Sequence, residues 1–306
     1  MIEVSDLTKR YGSTTAVDHL SFAVRPGYVT GFLGPNGAGK TTTLRTILGL
    51  DAPTGGTATV GGVPFRTHRR GLHHVGALLD AQQVHGGRTA AAHLAALARS
   101  NGIGPRRVDE VLGEVGLSEV ARRRIGGFSL GMKQRLGIAT ALLGNPPVLM
   151  FDEPVNGMDP EGVLWVRHLF RRLATEGRTV FLSSHLMSEM ENTADELVVI
   201  GQGRLIAAES VRGFAARSTR LRVVVRTPQA AEFAAVLTAA GAEVEPEGSA
   251  GVERLRVTGL AAERIGALAF DNRIMLHELT TQTASLEEAF MELTAGSVEY
   301  STGGPR

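Results

Sequence analysis

The sequence predicts an α/β protein, in which a large domain with a mixed sheet is followed by a smaller α+β domain. Up to about residue 212, short apolar runs alternate with helical patterns, as expected for strands and helices stacked in layers. Beyond that point the order of patterns is close to β-α-β-β-α-β, a split βαβ or ferredoxin-like unit. We therefore expect a large domain over 1–212 with a helical subdomain at about 84–145, an accessory domain over 213–295 and a flexible tail at 296–306.

Both kinds of element are visible in the large domain. The runs 148–151 and 179–182 are short and apolar, which is typical of strands buried on both faces of a parallel sheet. The other predicted strands are 2–4, 16–24 and 29–33, the predicted helices are 40–50, 90–99, 106–115 and 161–176, and a hairpin is predicted over 197–208 with its turn at 201–203.

The smaller domain is assigned from the same periodicities. The polar segment 245–251 predicts a turn in its middle. Strands are predicted at 220–226, 242–246, 253–257 and 273–279, and helices at 229–241, 261–270 and 285–294.

Composition narrows the possible function. A net charge of +1 gives no reason to expect a nucleic-acid partner, and the absence of cysteine excludes disulfides and thiolate metal sites. No run approaches the ~20 apolar residues that a membrane span needs, and the N-terminus lacks the apolar core of a signal peptide. We therefore expect a cytoplasmic protein with no direct membrane span, so that any membrane role requires a partner chain.

A glycine-rich segment at 34–41 matches G-x-x-x-x-G-K-[ST] between a predicted strand and a predicted helix. Such a turn points backbone N–H groups at phosphate oxygens, and the following helix adds its positive N-terminus. Lys40 is placed to reach the β- and γ-phosphates and the Thr41 hydroxyl to ligate Mg²⁺, so ATP and Mg²⁺ are the predicted ligands. The predicted nucleotide-binding residues here are Gly34, Pro35, Asn36, Gly37, Ala38, Gly39, Lys40, Thr41 and Thr42.

Two acidic residues, Asp152 and Glu153, follow the apolar run 148–151. A carboxylate at the tip of a buried strand is costly unless it meets a cation. Asp152 is suited to hold Mg²⁺ through water, and Glu153 to polarise the attacking water. On its own the pair is better explained by a strand that turns into solvent. With the phosphate loop present, the catalytic interpretation is favoured.

The segment 128–135, Phe-Ser-Leu-Gly-Met-Lys-Gln-Arg, resembles the signature segment of ABC ATPases, usually Leu-Ser-Gly-Gly-Gln, at that family's spacing before Asp152. The resemblance covers about the first 210 residues. It implies that Ser129 and Gly131 grip the γ-phosphate of ATP held by a second, identical subunit, through the positive end of a helix. Serine is also among the best helix N-caps, and Ser129 can serve both purposes.

Other positions agree with the ABC ATPase pattern. Tyr11 lies where the family has an aromatic residue that stacks on adenine, although a lone tyrosine is more often a packing residue. His185 matches the switch histidine that contacts the γ-phosphate, although a lone histidine at a strand end is more often structural. The segment 156–159 resembles the loop that couples the two ATP sites.

Two departures from the ABC ATPase pattern concern the active site. Asp80 stands where the family has the Q-loop glutamine, with Gln82 and Gln83 as alternative registers. A carboxylate there could approach Mg²⁺, which makes Asp80 a candidate metal ligand beside Thr41 and Asp152. In the signature segment, Leu130 and Met132 replace the usual glycine and glutamine.

These departures, with the segment 283–290, resemble one branch of ABC ATPases, related to daunorubicin- and bacitracin-resistance exporters. The resemblance implies an ATPase that pairs with a separate ABC-2 type membrane permease and lies on the inner face of the cell membrane. It also implies export of a drug, antibiotic or lipid-like compound, and a small C-terminal accessory domain. The alternative is a soluble ABC ATPase in DNA repair or translation.

Overall fold

The computed structural model describes residues 1–217, 222–246, 254–282 and 290. The chain divides into two compact units, one containing Met1–Val211 and the other spanning Arg212–Leu293. The predicted domain limits stay predictions. The tail 296–306, the helix 285–294 apart from Phe290, and most of the turn 245–251 lie outside the described residues.

The first unit contains nine strands and six helices of more than three residues within its described residues. In chain order these are β1 (Ile2–Tyr11), β2 (Thr14–Val24), β3 (Val29–Leu33), α1 (Lys40–Ile47), β4 (Gly55–Val60), β5 (Val75–Leu78), α2 (Ala90–Ser100), α3 (Arg106–Glu114), α4 (Leu130–Leu142), β6 (Val148–Asp152), α5 (Pro160–Thr175), β7 (Thr179–Ser184), α6 (Met187–Thr193), β8 (Glu196–Gly201) and β9 (Arg204–Ser210).

Two sheets organise these elements. One is antiparallel, in the order β2-β1-β4, and the other has six strands in the order β5-β6-β7-β3-β8-β9. In the larger sheet all neighbours are parallel except β8 and β9. The register pairs Asp152 with Ser183 and Leu33 with Ser184, so the carboxyl ends of β3, β6 and β7 meet at one edge. In open parallel sheets ligands bind outside this edge. The predicted mixed α/β sheet is confirmed.

An aromatic cluster joins the two sheets of the first unit. The rings of Phe22, Phe32 and Phe181 have centroids 5.1–5.7 Å apart, and Phe32 and Phe181 are fully buried. Every residue of β3, β6 and β7 is buried, in agreement with their continuous apolar sequences. The strands that end at the phosphate loop and the acidic pair are therefore held on both faces.

Helix α4 packs directly on β5. A Cβ atom on Gly76 would lie 1.9 Å from the carbonyl oxygen of Ala141, so only glycine permits this approach. The N-terminal half of α4 lies beside the end of β6, where Gln134 contacts the backbone of Glu153 and Asn156.

Several predicted boundaries were wrong. Strand β1 extends to Tyr11 rather than ending near residue 4, because it pairs along its length with β2. Strand β4 was not predicted, since its first residues are the glycines of a Gly-Gly pair and carry no periodicity. Helix α1 ends at Ile47 rather than at 50, because Gly49 has φ 66° and closes the helix.

The second unit forms an antiparallel sheet packed against helices, after a short helix α7 (Val211–Arg217) at the unit boundary. The order of its four strands, 243–246, 254–258, 222–226 and 278–282 across the sheet, is that of a split βαβ unit. Its core includes Val223, Phe233 and Ile265. Its elements are β10 (Arg222–Arg226), α8 (Ala230–Ala239), β11 (Glu243–Pro246), β12 (Arg254–Thr258), α9 (Ala262–Asp271) and β13 (Glu278–Gln282).

The predicted strand 273–279 began too early, since the strand observed there is Glu278–Gln282. Residues 272–276 instead close α9: Arg273 has φ 57°, and the Ile274 N–H donates to the carbonyl of Ala269 at 2.8 Å. Ile274 is buried in the core, so its apolar character reflects the helix end rather than a strand. The strand begins at Glu278. Within the residues the structure describes, no helix is long and apolar enough to cross a membrane.

Candidate functional site

The glycine-rich segment forms a tight turn from β3 into α1. Gly39 has φ 98°, and a Cβ atom there would lie 2.4 Å from the carbonyl oxygen of Ala16. Both facts require glycine. Helix α1 has no acidic residue in its first turn, so the positive character of its N-terminus is not neutralised from within. The turn borders an open cavity of about 320 Å³, lined by Ala16, Asn36, Gly37, Ala38, Gly39, Lys40, Thr41, Thr42, Leu79, Asp152 and Glu153.

Lys40 is a buried cation at the floor of this cavity. Its Nζ donates to the carbonyl oxygens of Gly34 at 2.6 Å and Pro35 at 3.2 Å. Burial lowers the pKa of Lys40, and the nearby carboxylates of Glu153 and Asp152 oppose that shift. Among the described residues, the hydrogen-bond partners of the ammonium group are these two neutral carbonyls. Phosphate oxygens would be stronger partners for it.

Asp152 and Thr41 meet across the cavity. The Thr41 hydroxyl donates to Asp152 Oδ2 at 2.6 Å, and the Ser183 hydroxyl donates to Asp152 Oδ1. A hydroxyl and a carboxylate are hard oxygen donors of the kind Mg²⁺ prefers. Among the described residues no cluster of three His, Cys, Asp or Glu side chains could enclose a metal ion.

Glu153 is held in an unusual conformation beside His185. Its φ of 49° lies in the left-handed region, which costs a residue with a side chain about 1–2 kcal/mol. His185 Nδ1 is 2.9 Å from Glu153 Oε2, and because a carboxylate can only accept, Nδ1 carries the proton. This contact leaves the other oxygen of Glu153 available at the cavity.

Asp80 lies at a second cavity of about 280 Å³ that adjoins the first through two shared carboxylates. Asp80 Oδ1 accepts from the backbone N–H of Gln82 at 2.8 Å. The cavity is lined by Leu79, Asp80, Ala81, Gln82, Leu130, Gln134, Asp152, Glu153 and Asn156. The structure therefore brings both Asp80 and the alternative Gln82 to the space beside Asp152 and Glu153.

Comparison with known proteins gives two kinds of match. A family model described as ABC transporter matches residues 17–156, and one described as a domain of unknown function (DUF8746) matches residues 221–287. The bacitracin transport ATP-binding protein BcrA of Bacillus licheniformis is 44% identical over 209 residues, which are 67% of this chain and 68% of BcrA. The chain belongs to the family of ABC transporter ATP-binding proteins.

Further similarities extend the match. The uncharacterised ABC transporter ATP-binding protein YhcH of Bacillus subtilis (strain 168) is 33% identical over 311 residues, 98% of this chain and 97% of YhcH. A solved structure of an ATP-binding subunit of an ABC transporter has a TM-score of 0.65 at 26% identity, covering 71% of this chain and 92% of that one. The predicted ABC ATPase fold and the resemblance to the exporter branch are confirmed. The protein is an ATP-binding, ATP-hydrolysing transporter subunit, and the soluble alternative is not favoured.

Not every predicted site residue of this ABC ATPase lies at the phosphate-loop cavity. Ser129 and Gly131 do not line it, and Ser129 caps α4, where its hydroxyl accepts from the Met132 N–H at 3.2 Å. The predicted N-cap is confirmed. Tyr11 is half exposed outside the lining residues, and its hydroxyl donates to Asp51 Oδ2 at 2.9 Å. The trans and adenine-stacking roles stay predictions.

Two residues of the site were missed in the sequence. Ser183 is fully buried and bridges Asp152 to the backbone N–H of Glu153, which lies 3.1 Å from the Ser183 hydroxyl. Gln134 is 6% exposed and contacts the backbone after β6. Ser183 could have been identified from the two hydroxyl residues that end an apolar strand. Nothing in the sequence marks Gln134 as a site residue, because its burial depends on how α4 packs.

Replacing Asp80 with alanine is expected to lower turnover at saturating ATP about tenfold while ATP affinity changes little. The reason is its place beside Asp152 and Glu153 rather than among the residues that line the phosphate-loop cavity. A titration of ATPase rate against Mg²⁺, with a separate measurement of nucleotide affinity, tests this. The matched variant is Gln82→Ala. A loss confined to that variant, with Asp80→Ala unaffected, assigns the Q-loop role to Gln82.

Proposed function

We propose that this chain hydrolyses ATP as a homodimer whose two sites are composite, each combining the phosphate loop of one subunit with the signature segment of the other. The contact between Glu153 and His185 beside Lys40 supports the proposal that the chain hydrolyses ATP. The position of the N-terminus of α4 supports the proposal that each site is shared between two subunits. Ser129 and Gly131 lie outside their own chain's phosphate-loop cavity, so their phosphate-binding chemistry suits a nucleotide on a second subunit.

Within one site the residues divide the work. Backbone N–H groups of residues 36–42 and the N-terminus of α1 hold the phosphates, and Lys40 exchanges its carbonyl partners for phosphate oxygens. Glu153 accepts a proton from the attacking water through the carboxylate oxygen that His185 leaves free. His185 fixes the direction of that carboxylate.

We infer that Thr41 and Asp152 hold Mg²⁺, with Asp80 as a further candidate ligand. The Thr41 hydroxyl lies 2.6 Å from Asp152 Oδ2, so these two residues place oxygen ligands side by side. That arrangement supports Thr41 and Asp152 as the ligands of one Mg²⁺ ion. The ion, when bound, neutralises negative charge on the transferring phosphate. Tyr11 would stack on adenine from its position at the end of β1, where the ion pair between Arg45 and Asp51 anchors its hydroxyl.

We further infer a place for the chain in a transporter. BcrA is named for bacitracin transport, and its 44% identity supports export of an antibiotic, drug or lipid-like compound by a complex that contains this chain. The proposed partner is a separate ABC-2 type membrane permease. The chain would then lie in the cytoplasm, peripheral to the inner face of the membrane, with residues 213–295 as an accessory domain.

Coexpression with an ABC-2 type membrane permease tests the transport proposal, and a permease encoded beside this chain would be the partner of choice. We expect a sensitive bacterial host to survive higher concentrations of bacitracin or daunorubicin, and the chain to co-purify with the membrane protein. The Glu153→Gln chain is the matched control, since it should co-purify but give no resistance. If the wild-type chain neither co-purifies nor changes survival, the assignment to an ABC-2 type exporter is wrong.

A further inference from the structure

Gln134 is a buried polar residue on α4 that makes its contacts outside its own helix. It is 6% exposed, one turn after Leu130. Its amide Nε2 donates to the carbonyl oxygen of Asn156 at 3.3 Å and lies 3.5 Å from that of Glu153. The side chain therefore links α4 to both ends of the segment that follows β6.

Glu153 is thus anchored on both sides of its α-carbon. Its N–H is 3.1 Å from the Ser183 hydroxyl and 3.3 Å from the Ser183 carbonyl oxygen, while its own carbonyl faces Gln134. A left-handed φ persists at a residue with a side chain only where surrounding contacts impose it. Ser183 on β7 and Gln134 on α4 are the side chains that make these backbone contacts.

Gln134 is poorly explained as a packing residue. Its Oε1 is buried and has no hydrogen-bond partner among the described residues. Most buried side-chain polar atoms have a hydrogen-bond partner. An apolar side chain of similar length would have no such atom to leave without a partner. The unmet oxygen therefore costs stability, whereas Nε2 of the same amide contacts the backbone of Glu153 and Asn156.

We propose that Gln134 is a positioning residue for hydrolysis: together with Ser183 it fixes the backbone of Glu153 and so the direction of its carboxylate. This inference rests on the proposed role of Glu153. Because Ser129 caps the N-terminus of α4, the helix that would contact the partner subunit's ATP also holds Glu153 of its own subunit. Closure at one composite site is thereby linked to the catalytic residue of the other.

The test is Gln134→Met, which keeps the length of the side chain and removes the amide. We expect kcat for ATP to fall at least about tenfold, because small errors in the placement of a catalytic group are costly, while ATP affinity stays within about twofold. The melting temperature should not fall, since the unmet Oε1 is removed with the amide. Thr140→Val is the matched control on α4, because its hydroxyl bonds only within the helix, to Leu136, and it should keep full kcat.

Trp165, the single tryptophan, reports on α4 in the same samples. The guanidinium of Arg135, next to Gln134, lies 4.4 Å from the centre of its ring. Unchanged Trp165 emission with reduced kcat supports the proposal. Full kcat in Gln134→Met overturns it, and so does a joint loss of kcat, ATP affinity and emission, which would mean that α4 has moved. Failure of the proposed function would instead appear as normal turnover in Glu153→Gln.

Discussion

Glu153→Gln is expected to bind ATP normally and to hydrolyse it about 10²–10⁴-fold more slowly than the wild-type chain. The amide keeps the size of the side chain but cannot accept a proton from water at neutral pH. Lys40 and Thr41 are unchanged, so nucleotide binding should persist. Steady-state phosphate release and an equilibrium measurement of ATP affinity on the same preparation separate the two effects.

The control for this substitution is Glu191→Gln on α6, an identical chemical change at an exposed carboxylate outside the residues that line either cavity. It should retain full turnover.

His185→Ala should lower kcat by a smaller factor than Glu153→Gln, because it loosens the carboxylate without removing it. Normal turnover in Glu153→Gln would remove Glu153 from the role of water-polarising base.

The parts of the site that sequence could predict are those in which local chemistry and spacing decide the structure. A glycine-rich turn between a strand and a helix can form in few ways, so Lys40 and Thr41 were correctly expected at a helix N-terminus. The apolar strand before Asp152 likewise fixed that carboxylate at the edge of a parallel sheet. In the structure Asp152 ends β6, Thr41 lies in the first turn of α1, and the Thr41 hydroxyl contacts Asp152.

The parts that sequence could not predict depend on contacts between distant elements. Ser183 reaches Asp152 and Glu153 only because β6 and β7 pair with Asp152 opposite Ser183. Gln134 is buried where α4 meets the segment after β6, at the backbone of Glu153 and Asn156. The start of the strand predicted at 273–279 was misplaced for a related reason, since the apolar residues after α9 pack at the C-terminal end of that helix. Local periodicity does not distinguish an apolar helix end from an apolar strand.

The composite arrangement makes the strongest prediction about the dimer. Chains carrying Lys40→Ala lack the phosphate-loop cation, and chains carrying Ser129→Arg place a bulky cation in the signature segment. Each variant alone should be inactive, because both sites of its homodimer are damaged. In a heterodimer of the two, the damage coincides at one site and the other site is intact. An equal mixture should therefore recover at most about a quarter of wild-type activity, given random pairing in a two-fold dimer.

Nucleotide counting makes the outcome independent of cooperation between the sites. With Glu153→Gln added to both chains, the heterodimer should retain one ATP, and either homodimer should retain none. The matched control pairs Lys40→Ala with the Lys40→Ala, Ser129→Arg double variant, which leaves no intact site and should retain no ATP. Full activity in the first mixture, or no retained ATP in a heterodimer that forms, contradicts the composite site. One ATP per heterodimer places Ser129 on the nucleotide of the opposite subunit, because no single chain in that dimer has both Lys40 and Ser129.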